Sequence, residues 1–356
     1  MEIKIIKVQE SELKKKPDKD TPLGFGKIFT DHMFQMNYEP EKGWFDPVIK
    51  KFEDIPLPPS AIVFHYAQEV FEGMKAYPRA DGKIGLFRPE MNFKRLNGSA
   101  ERLCMPTIPL DLQMKAVEEL LKVDNSWFPA GEFESMYIRP TMIATEAALG
   151  VKKSTTYIFF IILSPSGAYF SKGFLPISVY VSEKYIRAAV GGTGTAKTGG
   201  NYAASLLGAQ EAIEKGCDQV LWLDAKERRY VEEVGSMNIC FVYNDTIMTS
   251  ELFGSILEGV TRDSVLKMAG DLGFKTDVRK ITIDEIIEGI ESGKITECFG
   301  CGTAAVVSPV GQLFYREKMY TVSKDPGPVS KKLFKELTDI QWGRTQDKYG
   351  WTRIVE

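Results

Sequence analysis

Lys197 stands in the stretch Gly191-Gly-Thr-Gly-Thr-Ala-Lys-Thr-Gly-Gly200, one amine among five glycines and small side chains. With so few β-carbons around it, its ammonium can approach a ligand without steric obstruction. One chemistry this spacing offers is phosphate binding of the G-x-x-x-x-G-K-[ST] kind. Counted from Gly191 the pattern fails at one position, where Ala196 replaces the second glycine. Val220-Leu-Trp-Leu-Asp224 imitates the apolar strand whose terminal acid would help hold magnesium. Three features argue against this reading. The lysine is followed by Thr-Gly-Gly, which displaces the helix start that should face the phosphates. Tyr185-Ile-Arg-Ala-Ala separates Gly191 from any regular apolar strand, and Ala196 puts a β-carbon where backbone must close on phosphate. Taken alone, the loop reads as a flexible Gly-rich surface segment.

Other catalytic groups are scarce. The two histidines, His32 and His65, exclude a His-rich metal site and leave Ser-His or Cys-His hydrolysis few candidates, so no metal is expected. Acid–base chemistry must fall to another group. Five cysteines, at 104, 217, 240, 298 and 301, suit reduced thiols better than a disulfide framework. A net charge of -3 gives no reason to expect nucleic acid or a membrane surface as partner. No apolar run reaches the roughly 18 residues of a membrane span. The start, Met1-Glu-Ile-Lys-Ile-Ile, carries charge where a signal peptide has an apolar core. A cytoplasmic enzyme is the expectation.

The elements that must position this lysine follow from periodicity. At 356 residues, two domains or one large α/β body is expected. Tyr77 to Pro89, with Ala80-Asp81-Gly82 at its middle, reads as a β-hairpin. Helical spacing covers 90–104 and 111–123, where Leu110, Met114, Val117, Leu120 and Leu121 share a face. Tyr157 to Leu163 is a short apolar run suited to a buried strand. The following 165–176, with Pro165, Gly167, Gly173 and Pro176, is the best linker. Beyond it strands and helices alternate. Strand 177–182 precedes the lysine loop, and a helix over 202–215 takes Asn201 as N-cap and Gly216 as stop. Strands follow at 219–223, 237–243 and 246–249. Helices follow at 260–271, ended by Gly273, and 283–292, capped by Thr282 or Asp284 and stopped by Gly293. The domain expectation is 1–164, a linker at 165–176, and 177–356.

Lys197-Thr-Gly-Gly-Asn-Tyr202, Glu233-Val-Gly-Ser-Met-Asn238, Gly259-Val-Thr-Arg262 and Phe299-Gly-Cys-Gly-Thr303 follow one another in that order. The first half adds Phe71-Glu-Gly-Met-Lys-Ala-Tyr77, Leu86-Phe-Arg-Pro89, Arg102-Leu-Cys-Met-Pro106 and Tyr137-Ile-Arg-Pro140. Together these motifs resemble the branched-chain amino-acid aminotransferases of the fold-type IV pyridoxal-phosphate enzymes, over about residues 20 to 350. The resemblance implies a two-domain α+β and α/β fold, with a smaller N-terminal α/β domain and a larger C-terminal cofactor-binding domain of mixed β-structure. It implies reversible transfer of an amino group between L-leucine, L-isoleucine or L-valine and 2-oxoglutarate through a pyridoxamine-phosphate intermediate. D-amino-acid aminotransferases and aminodeoxychorismate lyases share the lysine, the glutamate and the helix start, but are usually shorter before Phe71 and differ from Phe-Glu-Gly-Met-Lys.

By the same resemblance Lys197 is the catalytic residue, holding pyridoxal 5'-phosphate as a Schiff base and then moving the proton. Glu233 would hold the protonated pyridine nitrogen, although the residues alone do not separate it from Glu232 or Asp224. Tyr202 would donate to the phenolic oxygen of the cofactor. Phosphate wants N–H groups at a helix start, and Gly259-Val260-Thr261 opens one, so the amides of Val260 and Thr261 suit it. The family match adds Arg95 and the Thr303 hydroxyl, with Leu257 packed on the ring. Phe71, Tyr137 and Tyr169, with Ser236 beside them, would wall a pocket for the branched side chain. Arg139 would receive glutamate's second carboxylate, and the amides of Thr303 and Ala304 the α-carboxylate. Tyr66, Leu149 and Val151 would enter from the other subunit of a homodimer. One departure concerns redox chemistry. Vertebrate relatives carry a C-x-x-C pair just after the Gly-Thr-Ala turn, where this chain reads Ala305-Val-Val-Ser308. Cys298-Phe-Gly-Cys301 lies upstream, and in an extended strand its two thiols face opposite ways, as inert cysteines.

Overall fold

Alternation of apolar and polar residues along β-strands decides where the candidate side chains on those strands point. The computed structural model describes residues 1–18, 21–167 and 173–356. They form two compact units, Met1–Ser171 with Ala196–Gly199 and Asp339–Glu356, and Lys172–Thr195 with Gly200–Thr338.

The first unit holds β1 (Lys4–Ile5), β2 (His32–Glu39), β3 (Gly43–Lys51), β4 (Glu69–Phe71), β5 (Met74–Pro78), β6 (Ile84–Phe87), β7 (Ser135–Ala144) and β8 (Tyr157–Ser166). They join in the order β1-β3-β2-β8-β7-β5-β6, with β4 also on β7 and the strand Thr352–Val355 on β6. On one face Met74, Ala76, Met136, Ile138, Met142, Phe159, Ile161 and Leu163 are buried against Phe93 and Leu96 of α2 (Pro89–Arg102) and Val117 and Leu120 of α3 (Leu110–Val123). Each fully buried large apolar side chain there contributes about 1.5–3 kcal/mol. The period of two then sends Lys75, Tyr137 and Arg139 to the opposite face.

Pro140 interrupts this sheet usefully. On one side of β7, Ile138 pairs with Met74 and Thr141 with Phe71, so Glu72 and Gly73 fall where β4 gives way to β5. Proline has no N–H to give a neighbour, and the contact that remains is Glu72 N–H donating to the Pro140 carbonyl at 2.8 Å. Gly73 is required by close approach, since a β-carbon there would lie 2.0 Å from the Tyr137 hydroxyl.

In the second unit β9 (Ile177–Ser182), β10 (Gln219–Leu223), β11 (Val231–Val234), β12 (Met237–Tyr243), β15 (Ile295–Gly302) and β16 (Val306–Tyr315) close into a ring. The order is β11-β10-β9-β16-β15-β12, with β12 pairing back onto β11. A closed barrel has no open edge. β13 (Thr246–Ser250) and β14 (Lys275–Arg279) extend from β12, and β17 (Lys318–Thr321) from β16. The unit also carries α5 (Val260–Asp271) and α6 (Ile283–Glu291), and all of α4 (Gly199–Glu214) after its first residue. Helix stops fall where expected, with Gly216, Gly273 and Gly293 at φ of 75, 84 and 71°. Thr282, rather than Asp284, caps α6 by accepting from Glu285 N–H at 3.1 Å.

Two expectations need correction. The helix after the lysine starts at Gly199, so Asn201 lies in its first turn rather than at its cap. Its side chain is drawn to Thr193, accepting from the hydroxyl at 2.7 Å and donating to the carbonyl at 2.8 Å. Within the expected linker, Pro165 and Ser166 continue β8, while 168–172 lie outside the described residues. The compact units part between Ser171 and Lys172, inside that segment, with Ala196–Gly199 and Asp339–Glu356 joining the first. Thr352–Val355 completes the first sheet on β6, and Trp342 packs edge-on against Tyr77 with centroids 4.5 Å apart.

Replacing Thr282 by Ala removes the one side-chain acceptor at the start of α6. Urea unfolding should show a loss of about 1 kcal/mol, and an unchanged midpoint would mean that the cap contributes nothing.

Candidate active site

In the first unit the backbone around Lys197 is tied down on several sides. Phe71 N–H donates to the Lys197 carbonyl at 3.0 Å. Lys197 N–H donates to Ser99 Oγ on α2 at 2.9 Å, and the Thr198 hydroxyl donates to the Glu69 carbonyl at 2.7 Å. Gly199 N–H donates to the Glu69 carboxylate. The four residues Ala196–Gly199 are thereby tied to β4 and α2. Lys197 is half-buried, and its ammonium lies 4.8 Å from the centroid of the Phe71 ring. Burial depresses the amine to about 8; Arg95 adds to the effect, Glu72 and Tyr137 oppose it, and Arg139 lowers it further.

Glu72, which sequence reasoning quoted only as part of a motif, is the most enclosed carboxylate of this cluster, with no exposed surface. Its Oε1 accepts from Arg95 Nε at 2.7 Å, and its Oε2 from Arg95 Nη2 at 2.9 Å, Asn92 Nδ2 at 2.9 Å and Gly73 N–H at 3.0 Å. Burial pushes this carboxyl up, but Arg95, Lys197 and the Asn92 amide together bring it below the ordinary carboxylate range. Arg95 thus reaches the site already held by two of its donors. Arg139 Nη2 donates to the Tyr137 hydroxyl at 3.1 Å, and its guanidinium stacks 4.7 Å from the Phe71 ring, so all three share one face. The Arg139 Nε is buried without a hydrogen-bond partner.

Tyr66, Leu149 and Val151 also belong to this unit. The Tyr66 hydroxyl donates to the Leu149 carbonyl, and the three are 39%, 67% and 85% exposed. Tyr169 lies outside the described residues.

The second unit holds a braced carboxylate of its own. Glu233 on β11 is buried; its Oε1 accepts from Leu257 N–H at 2.9 Å and, more distantly, from Asn238 Nδ2 at 3.4 Å. Its Oε2 is 3.1 Å from Arg187 Nε in an ion pair whose N–H is not aligned for a hydrogen bond. Arg187 Nη2 also donates to the carbonyls of Gly194, at 3.0 Å, and Ser255. One guanidinium therefore fixes the glycine loop, the segment before α5 and Glu233. Gly194 must be glycine, because a β-carbon would fall 2.3 Å from the Ser255 carbonyl oxygen. Arg187 lay in a stretch that offered no sequence signal.

The three acids left open by sequence separate here. Glu233 lines a cavity of about 200 Å³ with Tyr202, Ser236, Leu257 and Arg187. Its neighbour Glu232 bonds instead to the Ser255 hydroxyl, and burial pushes its carboxyl up to about 7. Asp224 accepts from the N–H groups of Lys226, Glu227, Arg229 and Tyr230, so it closes a turn. Register places Asn238 opposite Glu233 on one side and Cys301 on the other, next to the β15–β16 turn of Thr303 and Ala304. Asn238 also donates to the Leu257 carbonyl at 3.1 Å, just before Gly259, the residue preceding α5. Val260 and Thr261 form the first turn of α5, whose N-cap supplies no side-chain hydrogen bond.

The cysteines and His32 have structural places. Among the described residues the five thiols are free. Cys298 and Cys301 are buried in β15; burial pushes the Cys298 thiol well up, and the Cys240 contact followed by burial does the same for Cys301. Thiolate is the reactive form, and these surroundings disfavour it at both positions. His32 Nδ1 lies 2.7 Å from the buried Asp124 carboxylate, and its Nε2 accepts from Val8 N–H.

The model of the family described as amino-transferase class IV matches residues 69–313. A branched-chain-amino-acid aminotransferase 2 of Bacillus subtilis is 47% identical over 351 residues, covering 98% of this chain and 97% of that protein. The branched-chain-amino-acid aminotransferase of Mycolicibacterium smegmatis is 49% identical over 334 residues, 92% of this chain and 91% of its own. Among solved structures, the Escherichia coli branched-chain amino acid aminotransferase superimposes with a TM-score of 0.76 at 28% identity, covering 86% of this chain and 97% of that one. The T.th. branched-chain amino acid aminotransferase with pyridoxamine 5'-phosphate does so with 0.75 at 28%, covering 90% and 98%.

The depressed lysine has a consequence for stability. A lysine that holds its proton less tightly when folded than when unfolded lowers stability fully below its folded pKa, and the loss disappears as pH rises towards the unfolded value. For Lys197 that window runs from about 8 to 10.5. In the cofactor-free chain, Lys197→Met should raise the unfolding free energy at pH 7 by on the order of 2 kcal/mol and by much less near pH 10.5. Lys75, also depressed to about 8 by burial, keeps its own slope in the variant. Urea titrations at the two pH values measure the difference. Equal stabilisation at both would show that the amine is not the cause.

Proposed function

The chain belongs to the amino-transferase class IV family, among its branched-chain-amino-acid aminotransferases, and from that premise we propose that it transfers the amino group between L-leucine, L-isoleucine or L-valine and 2-oxoglutarate with pyridoxal 5'-phosphate as cofactor. The observation that carries this reading is Lys197, an amine withdrawn from water, depressed to about 8 and fixed through its own backbone to β4 and α2. Near neutral pH such a lysine can both attack a carbonyl as free amine and hold a proton.

The donor set fits the cofactor. A buried carboxylate paired with Arg187 suits a protonated ring nitrogen, and the N-terminus of α5, entered through Gly259, suits a phosphate. When bound, pyridoxal phosphate supplies a carbonyl carbon to receive the amino group and a ring to draw electrons from the neighbouring C–H bond. The chain's own residues do the rest. Lys197 is the attachment point and carries the proton between the two carbons that exchange it. Glu233, braced by Arg187, Asn238 and Leu257 N–H, keeps its carboxylate on the ring nitrogen, and Tyr202 donates to the phenolic oxygen. Leu257 packs on the ring. Val260 and Thr261 amides, the Thr303 hydroxyl and Arg95 take the phosphate.

Substrate recognition divides between apolar and charged groups. Phe71 and Tyr137, with Ser236, face the branched side chain, Tyr169 being assigned to it by the family resemblance alone, and the Thr303 and Ala304 amides hold the α-carboxylate. Arg139 takes glutamate's second carboxylate; its buried, unpartnered Nε supports that assignment. In a homodimer, Tyr66, Leu149 and Val151 of a second subunit cover the pocket, a role supported by their exposure as apolar groups.

Two measurements test the proposal. Borohydride reduction of the loaded enzyme should fix pyridoxal phosphate to the peptide containing Lys197, and Lys197→Ala should lose turnover; label on Lys184 or Lys215 would sink the assignment. Arg139→Met should lower kcat/KM for glutamate about tenfold more than for leucine, because only glutamate loses a charge partner. Stopped-flow measurement of each half-reaction decides this, and equal losses would make Arg139 a brace for Tyr137 only.

A further inference from the structure

Three cations gather about Phe71 and Glu72 in the first unit. Arg139 from β7 and Lys197 lie 4.7 and 4.8 Å from the Phe71 ring, Phe71 N–H donates to the Lys197 carbonyl, and Arg95 from α2 pairs with the next residue, Glu72. Like charges gathered away from water disfavour one another, yet the lysine must be able to carry a proton. The other titratable groups around it are the Tyr137 phenol on β7 and two carboxylates, Glu69 on β4 and Glu72 just beyond it. Glu69 is committed to Gly199 N–H, and burial pushes it up, so it is the weaker counter-charge. Glu72 is different. The sheet breaks between β4 and β5 to admit it, Pro140 faces its backbone, and Gly73 leaves room for Tyr137 beside it.

We propose that Glu72 is a positioning residue for Lys197: its enclosed carboxylate grips Arg95 by two donors and supplies the negative charge against which the lysine amine keeps its proton. Bidentate pairing at 2.7 and 2.9 Å holds the guanidinium in a fixed plane. Asn92 and Gly73 N–H fix the carboxylate in turn, so it stays in place when other groups move. The arrangement balances one cation that must stay charged, Arg95, against one that must gain and lose a proton, Lys197. Removing the carboxylate leaves the lysine facing two guanidiniums and lowers its proton affinity. Removing Arg95 does the reverse.

The inference concerns the lysine of the proposed function and draws its meaning from that reading, but its test needs no cofactor. The full-length, cofactor-free chain is treated with formaldehyde and cyanoborohydride at a series of pH values, and methylation is quantified on the Lys197 peptide. Only the neutral amine reacts, so the midpoint reports its proton affinity. Glu72→Gln should move the midpoint down by about one pH unit, making methylation at pH 7 roughly fivefold faster. Arg95→Gln should move it up, and Lys75 should keep its midpoint in both. Opposite shifts would carry the proposal. Coincidence of the Glu72→Gln and wild-type midpoints, or shifts in one direction for both variants, would overturn it. Should Glu72→Gln fail to fold, Arg95→Gln decides alone: an unmoved or lowered midpoint is fatal. Failure of the wild-type chain to bind pyridoxal phosphate would refute the proposed function and leave this result standing.

Discussion

An amine withdrawn from water is the constraint around which the first unit is arranged. Taking an ammonium out of water disfavours its charged form, and Lys197 shows this in its depressed proton affinity. A chain that does this must tie the lysine's backbone down, because otherwise the side chain would return to solvent. The hydrogen bonds of Lys197 to Ser99 and Phe71, and of its neighbours to Glu69, meet that need. They also explain why four residues of the glycine loop count with the first sheet. Glycines on either side let the backbone make the excursion.

The second unit solves the opposite problem, holding an anion still. Glu233 sits in a barrel strand between partners that approach from different segments, Leu257 before α5, Asn238 across the ladder and Arg187 before the glycine loop. Closure of the barrel fixes the ladder, and the ladder fixes the distance between Glu233 and Asn238. Arg187 then couples that carboxylate to Gly194 and Ser255. A carboxylate so braced has little freedom to turn away from whatever it binds.

Much of this was legible in the sequence, because strand alternation and helix stops are local. The hairpin at 77–89, the buried strand from Tyr157 and the glycine stops at 216, 273 and 293 all follow from spacing. Arg139 sharing a face with Tyr137 follows from the same rule. What escaped was long-range. Asn201 has the residue type of a cap, but Thr193 competes for its side chain. Arg187 and Glu72 look like ordinary charged residues until the partners that bury them, distant in sequence, are in place. No local pattern announces a salt bridge between residues 23 apart, such as Glu72 and Arg95, or 46 apart, such as Arg187 and Glu233.

Strand Thr352–Val355 lies antiparallel to β6, with Thr352 opposite Phe87, 265 residues later in the chain. During synthesis the whole second unit must emerge before that partner exists. At about 5–20 residues per second, β6 waits on the order of tens of seconds as an open edge. Such an edge is a template for the wrong strand, including β6 of a neighbouring nascent chain. The last strand to be made is therefore also the one that closes this edge.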